Sequence, residues 1–276
     1  MRLRGVKSSR NVDDRRRSRA GKAGGIGGVG LLLVLAIGYF AGIDVSPLLN
    51  QTATPAQSQA TTVEQDQAAE FTTRVLTTTE QVWGQIFAQQ LNRTYQPPVL
   101  VLYSGVTQSP CGGASGATGP FYCPADQKAY LDTDFFVTLS RQMGAGGDFA
   151  AAYVIAHEVA HHVQNLLGIL GPVNQRRRQV SQTEANGLTV RLELQADCLS
   201  GVWARSVQGL LERGDLEEAL NAARRIGDDH LQRQAGRVPQ PHTFTHGTSE
   251  QRSRWFARGY DSGNITNCDS FGARSL

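Results

Sequence analysis

Cysteine is scarce in this sequence: only four of the 276 residues are cysteine, and no two of them form the C-x-x-C arrangement of structural zinc sites. That absence argues against a zinc finger or a zinc ribbon. Four cysteines allow three disulfide connectivities. Cys111 and Cys123 bracket a glycine-rich loop, so proximity favours a bond between them and leaves Cys198 to pair with Cys268. Two disulfides indicate an oxidising compartment outside the cytoplasm.

Charged residues are absent from residues 24–43, GGIGGVGLLLVLAIGYFAGI. As a helix rising about 1.5 Å per residue, this segment would span roughly 30 Å, the hydrocarbon thickness of a bilayer. We therefore predict a single transmembrane helix over residues 24–45. A cleaved signal peptide is the alternative, since small residues follow in TATPAQSQA. The apolar run of a signal peptide is usually shorter, about 7 to 15 residues.

Positive charge is concentrated at the amino terminus. Residues 1–22 contain nine Lys or Arg against two Asp, a net charge of +7, whereas the whole chain carries +3 and the remainder therefore −4. A basic arm can bind nucleic acid, but its position directly before an apolar segment favours a cytoplasmic anchor and no nucleic-acid partner. We predict that residues 1–23 form a basic cytoplasmic segment. The domain beyond the membrane is then periplasmic or extracellular.

Large apolar residues are few in residues 46–66, which are rich in Gln, Thr, Ser, Ala and Pro and are predicted to be a flexible linker. No internal repeat and no second domain is evident after it, so residues 67–276 form one predicted domain. Helical periodicity and short apolar runs predict a mostly helical α+β fold with a small sheet. The predicted strands are 97–105 and, as an edge strand, 128–131; the predicted helices begin near 68 and cover 148–167, 182–211, 216–233 and 249–260.

The segment AAYVIAHEVAHHVQN, residues 151–165, contains an H-E-x-x-H motif on a predicted helix. Residues four apart share one helical face, so His157 and His161 can direct both imidazoles at one metal ion. Glu158 lies about 100° round the helix from His157, beside a metal-bound water rather than in line with the ligands. This arrangement is typical of a general base next to a metal-activated water.

A catalytic zinc ion also needs a third protein ligand and an open position for water. The stretch VRLELQADCLSGVWA supplies Glu193 and Asp197, again four apart on a predicted helix. Glu193 can be the third ligand. Asp197 can accept the second N–H of His157 and fix its tautomer. The alternative is that both carboxylates make ordinary surface contacts, with Arg191 or another neighbour as partner.

Taken together, HEVAHHVQN, ELQADC and HGTSEQRSRWFARGYDSG resemble the bacterial family of neutral zinc metallopeptidases, within the gluzincin-type proteases. The resemblance runs from about residue 66 to the carboxyl terminus. It implies a zincin-like metallopeptidase domain, one zinc ion and a peptide or protein substrate. It also implies that His157, His161 and Glu193 are the zinc ligands and that Glu158 is the catalytic acid and base. Asp197 would then contact a ligand without binding zinc itself.

Several other side chains are weaker candidates. His246 precedes a predicted helix start, and related gluzincins place there a histidine that stabilises the oxyanion, so we include it as a catalytic candidate. His162 points about 100° away from His161 and is expected to pack or to form hydrogen bonds. The remaining candidates are expected to have structural or surface roles: His230 and His242 at the surface, Tyr260 and Arg252 as less favoured oxyanion donors, and Cys198 in a disulfide rather than as a zinc thiolate.

One rival function is a membrane-tethered zinc-binding scaffold without turnover. Glu158 argues against it, because zinc binding does not need that residue and hydrolysis does. For the peptidase, we expect an extended substrate to add to the edge strand predicted at Lys128 to Leu131.

Overall fold

The computed structural model describes residues 1–16, 62–115, 119–136, 139 and 143–276. The predicted transmembrane helix, 24–45, and most of the predicted linker, 46–66, lie outside these ranges. Among the residues described, no helix is both long enough and apolar enough to span a bilayer.

The described residues form a mostly helical α+β fold, as predicted. Its strands are β1 (Val12–Asp14), β2 (Val99–Tyr103), β3 (Val106–Ser109), β4 (Gly112–Ser115), β5 (Phe121–Cys123) and β6 (Lys128–Asp132). Its α-helices are α1 (Thr62–Leu91), α2 (Asp148–Leu166), α3 (Leu170–Arg177), α4 (Gln182–Ser206), α5 (Asp215–Arg225), α6 (Asp228–Gln234) and α7 (Ser249–Ser262).

The main sheet has the strand order β1-β2-β6-β5. β1 and β6 run parallel to β2, and β5 runs antiparallel to β6. The prediction of an edge strand at Lys128–Leu131 is therefore wrong, because β6 is paired on both sides. The three central residues of β6, Ala129 to Leu131, are apolar and buried, so both faces of the strand are covered, which fits an interior strand. Strands β3 and β4 form a separate antiparallel pair.

Helix α2 lies in the centre of the core and is buried around almost its whole circumference. Its small residues, chiefly alanine, allow the neighbouring elements to approach closely on every side. Phe149 at its start stacks on Trp203 of α4, with ring centroids 5.6 Å apart. Trp203 in turn donates its indole N–H to Thr78 of α1, 3.1 Å away. These contacts tie the three longest helices together beneath the sheet.

Helices α4 and α7 cross at a pair of glycines. A Cβ atom at Gly259 would overlap the carbonyl oxygen of Cys198, and a Cβ atom at Gly201 would overlap that of Phe256. Only glycine permits this separation of the two backbones. The close crossing brings residues of α7 within hydrogen-bonding distance of α4.

Both predicted disulfides are formed, Cys111–Cys123 and Cys198–Cys268. Two helices differ from their predicted bounds. The helix predicted over 182–211 ends at Ser206 and is followed by a short 3-10 turn. The helix predicted over 216–233 is broken at Gly227, where a Cβ atom would overlap the backbone of Ser249 and the chain is extended.

Candidate metal centre

Three potential metal ligands converge between α2 and α4. His157 and His161 lie one turn apart on α2, with ring centroids separated by 4.8 Å. The Nε2 atom of His157 is 3.0 Å from Oε2 of Glu193, and the Nε2 atom of His161 is 3.4 Å from Oε1 of the same carboxylate. One ligand atom from each residue lies within 4.8 Å of the others. Two imidazole nitrogens and one carboxylate facing a common point fit a zinc ion with an open coordination position.

A second polar group faces Nδ1 of each histidine. Nδ1 of His157 forms an ion pair with Asp197, 2.9 Å from Oδ1. Nδ1 of His161 lies 2.8 Å from Oε1 of Gln164, whose amide group donates to the carbonyl of Leu192 at 2.7 Å. With each Nδ1 atom facing an oxygen atom, each Nε2 atom is available to a metal ion.

Asp197 is completely buried and interacts with three groups. It lies beside His157, accepts a hydrogen bond from the hydroxyl group of Tyr153, and forms an ion pair with Arg252 of α7. The Arg252 guanidinium donates from Nε to Oδ2 and from Nη2 to Oδ1, both at 2.9 Å. Burial acts to raise the pKa of Asp197, but the charge of Arg252 and the hydrogen bond with His157 lower it. Asp197 therefore stays ionised and keeps the proton of His157 on Nδ1.

The charges around the ligands hold His157 protonated when no metal is bound. Burial lowers the pKa of His157, but the hydrogen bonds and charges of Asp197 and Glu193 raise it to about 10. Burial also acts to raise the pKa of Glu193, and the two histidines lower it well below its usual range. A cation is thus already favoured at this point between the helices, and a metal ion would replace the proton on Nε2.

Glu158 is partly buried beside the ligand group, on the same helix. Burial raises its pKa, while the charges of His161 and His157 lower it, and the net effect is upward. A carboxylate with a raised pKa next to a metal site is suited to accepting and returning a proton.

His246 lies on the loop before α7 and is held by Asp228, the first residue of α6. Asp228 Oδ1 lies 3.1 Å from Nδ1 of His246, and its Oδ2 accepts the backbone N–H of His246 at 2.6 Å. Burial lowers the pKa of His246, but Asp228 and the charge of Glu193 raise it. The side chain is 48% exposed, so it is accessible to a bound substrate.

The other candidates lie apart from the ligands. His162 is buried and binds the hydroxyl of Tyr122 on β5 and the carbonyl of Gln96, so it joins the sheet to α2. This agrees with the expected packing and hydrogen-bonding role, and burial lowers its pKa. The positions of the remaining residues also match structural or surface roles: His230 beside Arg225, His242 exposed, and Tyr260 beside Arg205.

Sequence reasoning did not identify Tyr153, Gln164 and Asp228. The first two could have been found, because they lie four residues before His157 and three residues after His161 on the same helix. Asp228 carried no such signal, since it is separated from His246 by a loop. Arg252 was considered, but as an oxyanion donor; the structure instead buries it against Asp197.

Comparison with known proteins gives a consistent assignment. The family described as "Putative neutral zinc metallopeptidase" matches residues 1–271. The uncharacterized protein YpfJ of Escherichia coli K12 is 49% identical over 289 residues, which covers 99% of each chain. The uncharacterized protein Rv2575 of Mycobacterium tuberculosis H37Rv is 45% identical over 195 residues, covering 66% of this chain and 65% of the relative. No solved structure matches the chain. The chain therefore belongs to this neutral zinc metallopeptidase family.

Proposed function

We propose that the protein is a zinc-dependent peptidase. The observation that carries the proposal is the arrangement of Glu158 beside a point on which His157, His161 and Glu193 converge. His157, His161 and Glu193 would hold a zinc ion, which would supply Lewis acidity and would lower the pKa of a water molecule toward about 7. Glu158 accepts a proton as water attacks the peptide carbonyl and then delivers that proton to the leaving amine. One peptide bond and one water molecule are consumed.

His246 would support the same reaction as a hydrogen-bond donor. Asp228 orients its ring, and the exposed side chain can donate a hydrogen bond to the carbonyl oxygen as negative charge develops on it. This donor would stabilise the transition state more than the ground state. Arg252 is less suited to that role, because it is buried and its Nε and Nη2 atoms donate to Asp197 and Tyr153.

An extended peptide would pair with the outer edge of β5. Within the described part of the sheet, β5 has β6 on one side, and it approaches α2 through the bond between Tyr122 and His162. A strand added here would run along the helix that carries the ligands. The pairing expected earlier, with Lys128–Leu131, is excluded because β2 and β5 already flank that strand.

Two further features belong to this proposal. The disulfides support a domain that works in an oxidising compartment outside the cytoplasm. The uncharged residues 24–43, which lie outside the described ranges, support contact with a membrane.

The test is zinc content measured together with chelator-sensitive cleavage of an unstructured protein such as casein. We expect one zinc ion per chain and cleavage that stops when a chelator is added. Glu158→Gln should retain zinc and lose turnover, whereas Glu193→Ala should lose zinc. Full activity in Glu158→Gln would refute the role of Glu158. Stoichiometric zinc without cleavage of any unstructured substrate would favour the scaffold function instead.

A further inference from the structure

Residues 1–16 are folded into the same unit as the metal centre. Strand β1 pairs with β2 in parallel, with Val12 opposite Leu100 and Asp14 opposite Leu102. The backbone N–H of Leu100 donates to the carbonyl of Asn11 at 2.9 Å, and the N–H of Arg15 donates to that of Leu102 at 2.8 Å. This strand was not predicted from the sequence.

Side chains before the strand dock on two helices. Met1 and Leu3 are buried, with 6% and 7% exposure, and belong to the main hydrophobic core. The amino group of Met1 is 2.8 Å from Asp148, the first residue of α2. Ser9 Oγ donates to Oε1 of Glu80 on α1 at 2.6 Å. The segment thus contacts the helix that carries the ligands, the long helix α1 and the sheet.

The last residue described before the gap contacts the first helix described after it. Arg16, the last residue described before the gap, donates from Nη1 to the carbonyl of Gln65 and to Oδ1 of Asp66, both at 2.9 Å. Helix α1, to which Gln65 and Asp66 belong, begins at Thr62, the first residue described after the gap. Residues 17–61 therefore start and end at neighbouring points on the same surface.

We propose that residues 1–16 and the domain formed by residues 62–276 lie in the same compartment, on one side of any membrane. A single crossing would put roughly 30 Å of hydrocarbon between β1 and β2 and would break their ladder. Two crossings by helices would need about 40 predominantly apolar residues. The sequence offers one uncharged run of twenty, residues 24–43. Any contact of this run with a bilayer is then made from the side on which the domain lies.

This arrangement replaces the topology expected from charge alone, with a cytoplasmic amino terminus and an exported domain. Three of the nine basic residues that suggested a cytoplasmic anchor have partners within the folded unit. Arg15 and Arg16 pair with Asp13 and Asp14, and Arg2 donates to the carbonyl of Gly209 at 3.0 Å. The family match also begins at residue 1, so it includes the docked segment.

Thiol labelling tests the proposal directly. All four native cysteines are in disulfides, so one introduced cysteine is the only free thiol. Ser8→Cys and Gln234→Cys introduce this thiol at exposed positions in the amino-terminal segment and on α6. In spheroplasts that produce the full chain, a membrane-impermeant maleimide should label both variants to the same extent, and lysis should permit complete labelling of both. Labelling of one variant but not the other before lysis would overturn the proposal.

A matched pair of variants tests the docking independently of the membrane. Leu3→Ala removes a buried side chain, and Arg4→Ala removes its exposed neighbour. In the purified full chain, Leu3→Ala should lower the melting temperature of the metal-binding domain by about 4 to 10 °C, and Arg4→Ala should leave it within about 1 °C. Equal melting temperatures for the two variants would show that the segment does not pack on the domain.

Discussion

Arg252 and Asp197 form a fully buried, two-point ion pair directly behind His157. The two residues come from different helices, α7 and α4, and are 55 positions apart in the chain. Removing one member of a buried ion pair leaves the other charge buried without its partner. The pair therefore couples the stability of the domain to the orientation of a candidate metal ligand.

We expect Arg252→Met to lower the free energy of unfolding by about 3 to 5 kcal/mol, because the buried Asp197 would lose its guanidinium partner and would share the charge of His157 with Glu193. The measurement is chemical denaturation of the metal-free protein. Arg254→Met, on the same helix, removes an exposed side chain that pairs with Glu250 and donates to the carbonyl of Leu276, and it should change stability by less than about 0.5 kcal/mol. Equal losses in the two variants would contradict the role given to the buried pair.

His246→Ala should reduce kcat by about 100- to 1000-fold, since an oxyanion donor acts mainly in the transition state. Zinc content and KM should change little, because His246 is not among the three convergent ligands. His242→Ala is the matched control at an exposed position on the preceding turn. Loss of zinc from His246→Ala would instead place this residue on the metal.

Asp132 should make stability depend on pH. Burial raises its pKa from 3.8 to about 6, although the backbone N–H groups of Asp134 and Gly105 oppose the shift. The folded state therefore holds this proton more tightly than the unfolded state. The resulting stabilisation is complete below about pH 4 and is lost as the pH rises through about 6.

Asp132→Asn removes the charge and keeps an acceptor for one of the two backbone N–H groups, which bond to different carboxylate oxygens in the native chain. The loss of the second bond does not depend on pH. Relative to the native chain, the stability of Asp132→Asn should rise by up to about 3 kcal/mol between pH 4 and pH 7. Denaturant titrations at several pH values give the comparison. If the difference in free energy of unfolding between Asp132→Asn and the native chain stays constant over this pH range, Asp132 does not titrate as the structure implies.

The two disulfides should differ in their contribution to stability. Cys198 and Cys268 are separated by 70 positions, and Cys111 and Cys123 by 12. Loop-closure entropy predicts that removing the Cys198–Cys268 bond lowers the free energy of unfolding by about 4 kcal/mol, and that removing the Cys111–Cys123 bond lowers it by about 3 kcal/mol. Paired Cys→Ala substitutions, compared by denaturation, measure each loss. A larger loss from the short loop would show that strain or contacts in the folded state outweigh chain entropy.

The ligand set could be predicted because its geometry is local. His157 and His161, like Glu193 and Asp197, are one helical turn apart, so the sequence itself fixes which of them share a face. Arg252 has no comparable signal. Its position depends on the crossing of α4 and α7. Gly201 and Gly259 permit this crossing, but glycines in a helical sequence do not by themselves predict which helices cross.

The sheet was harder to predict for the same reason. β1 is three residues long, Val-Asp-Asp, and shows no alternation of apolar and polar residues. Its formation depends on a partner 88 positions away, since Val12 pairs with Leu100. β6 was identified as a strand, but its position inside the sheet depends on β5 and β2 flanking it, and pairing partners cannot be deduced from one strand alone.

The two histidines differ in when their orientation is established during assembly of the domain. Gln164 lies on the same helix as His161 and is itself anchored on α4 through the carbonyl of Leu192, so it can orient His161 once α2 and α4 have packed together. His157 depends on Asp197, whose charge is balanced by a residue of the carboxyl-terminal helix. The orientation of His161 thus needs two helices, and that of His157 needs a third. Zinc affinity should consequently report whether the last helix has docked, and high-affinity loading would be restricted to completely folded chains.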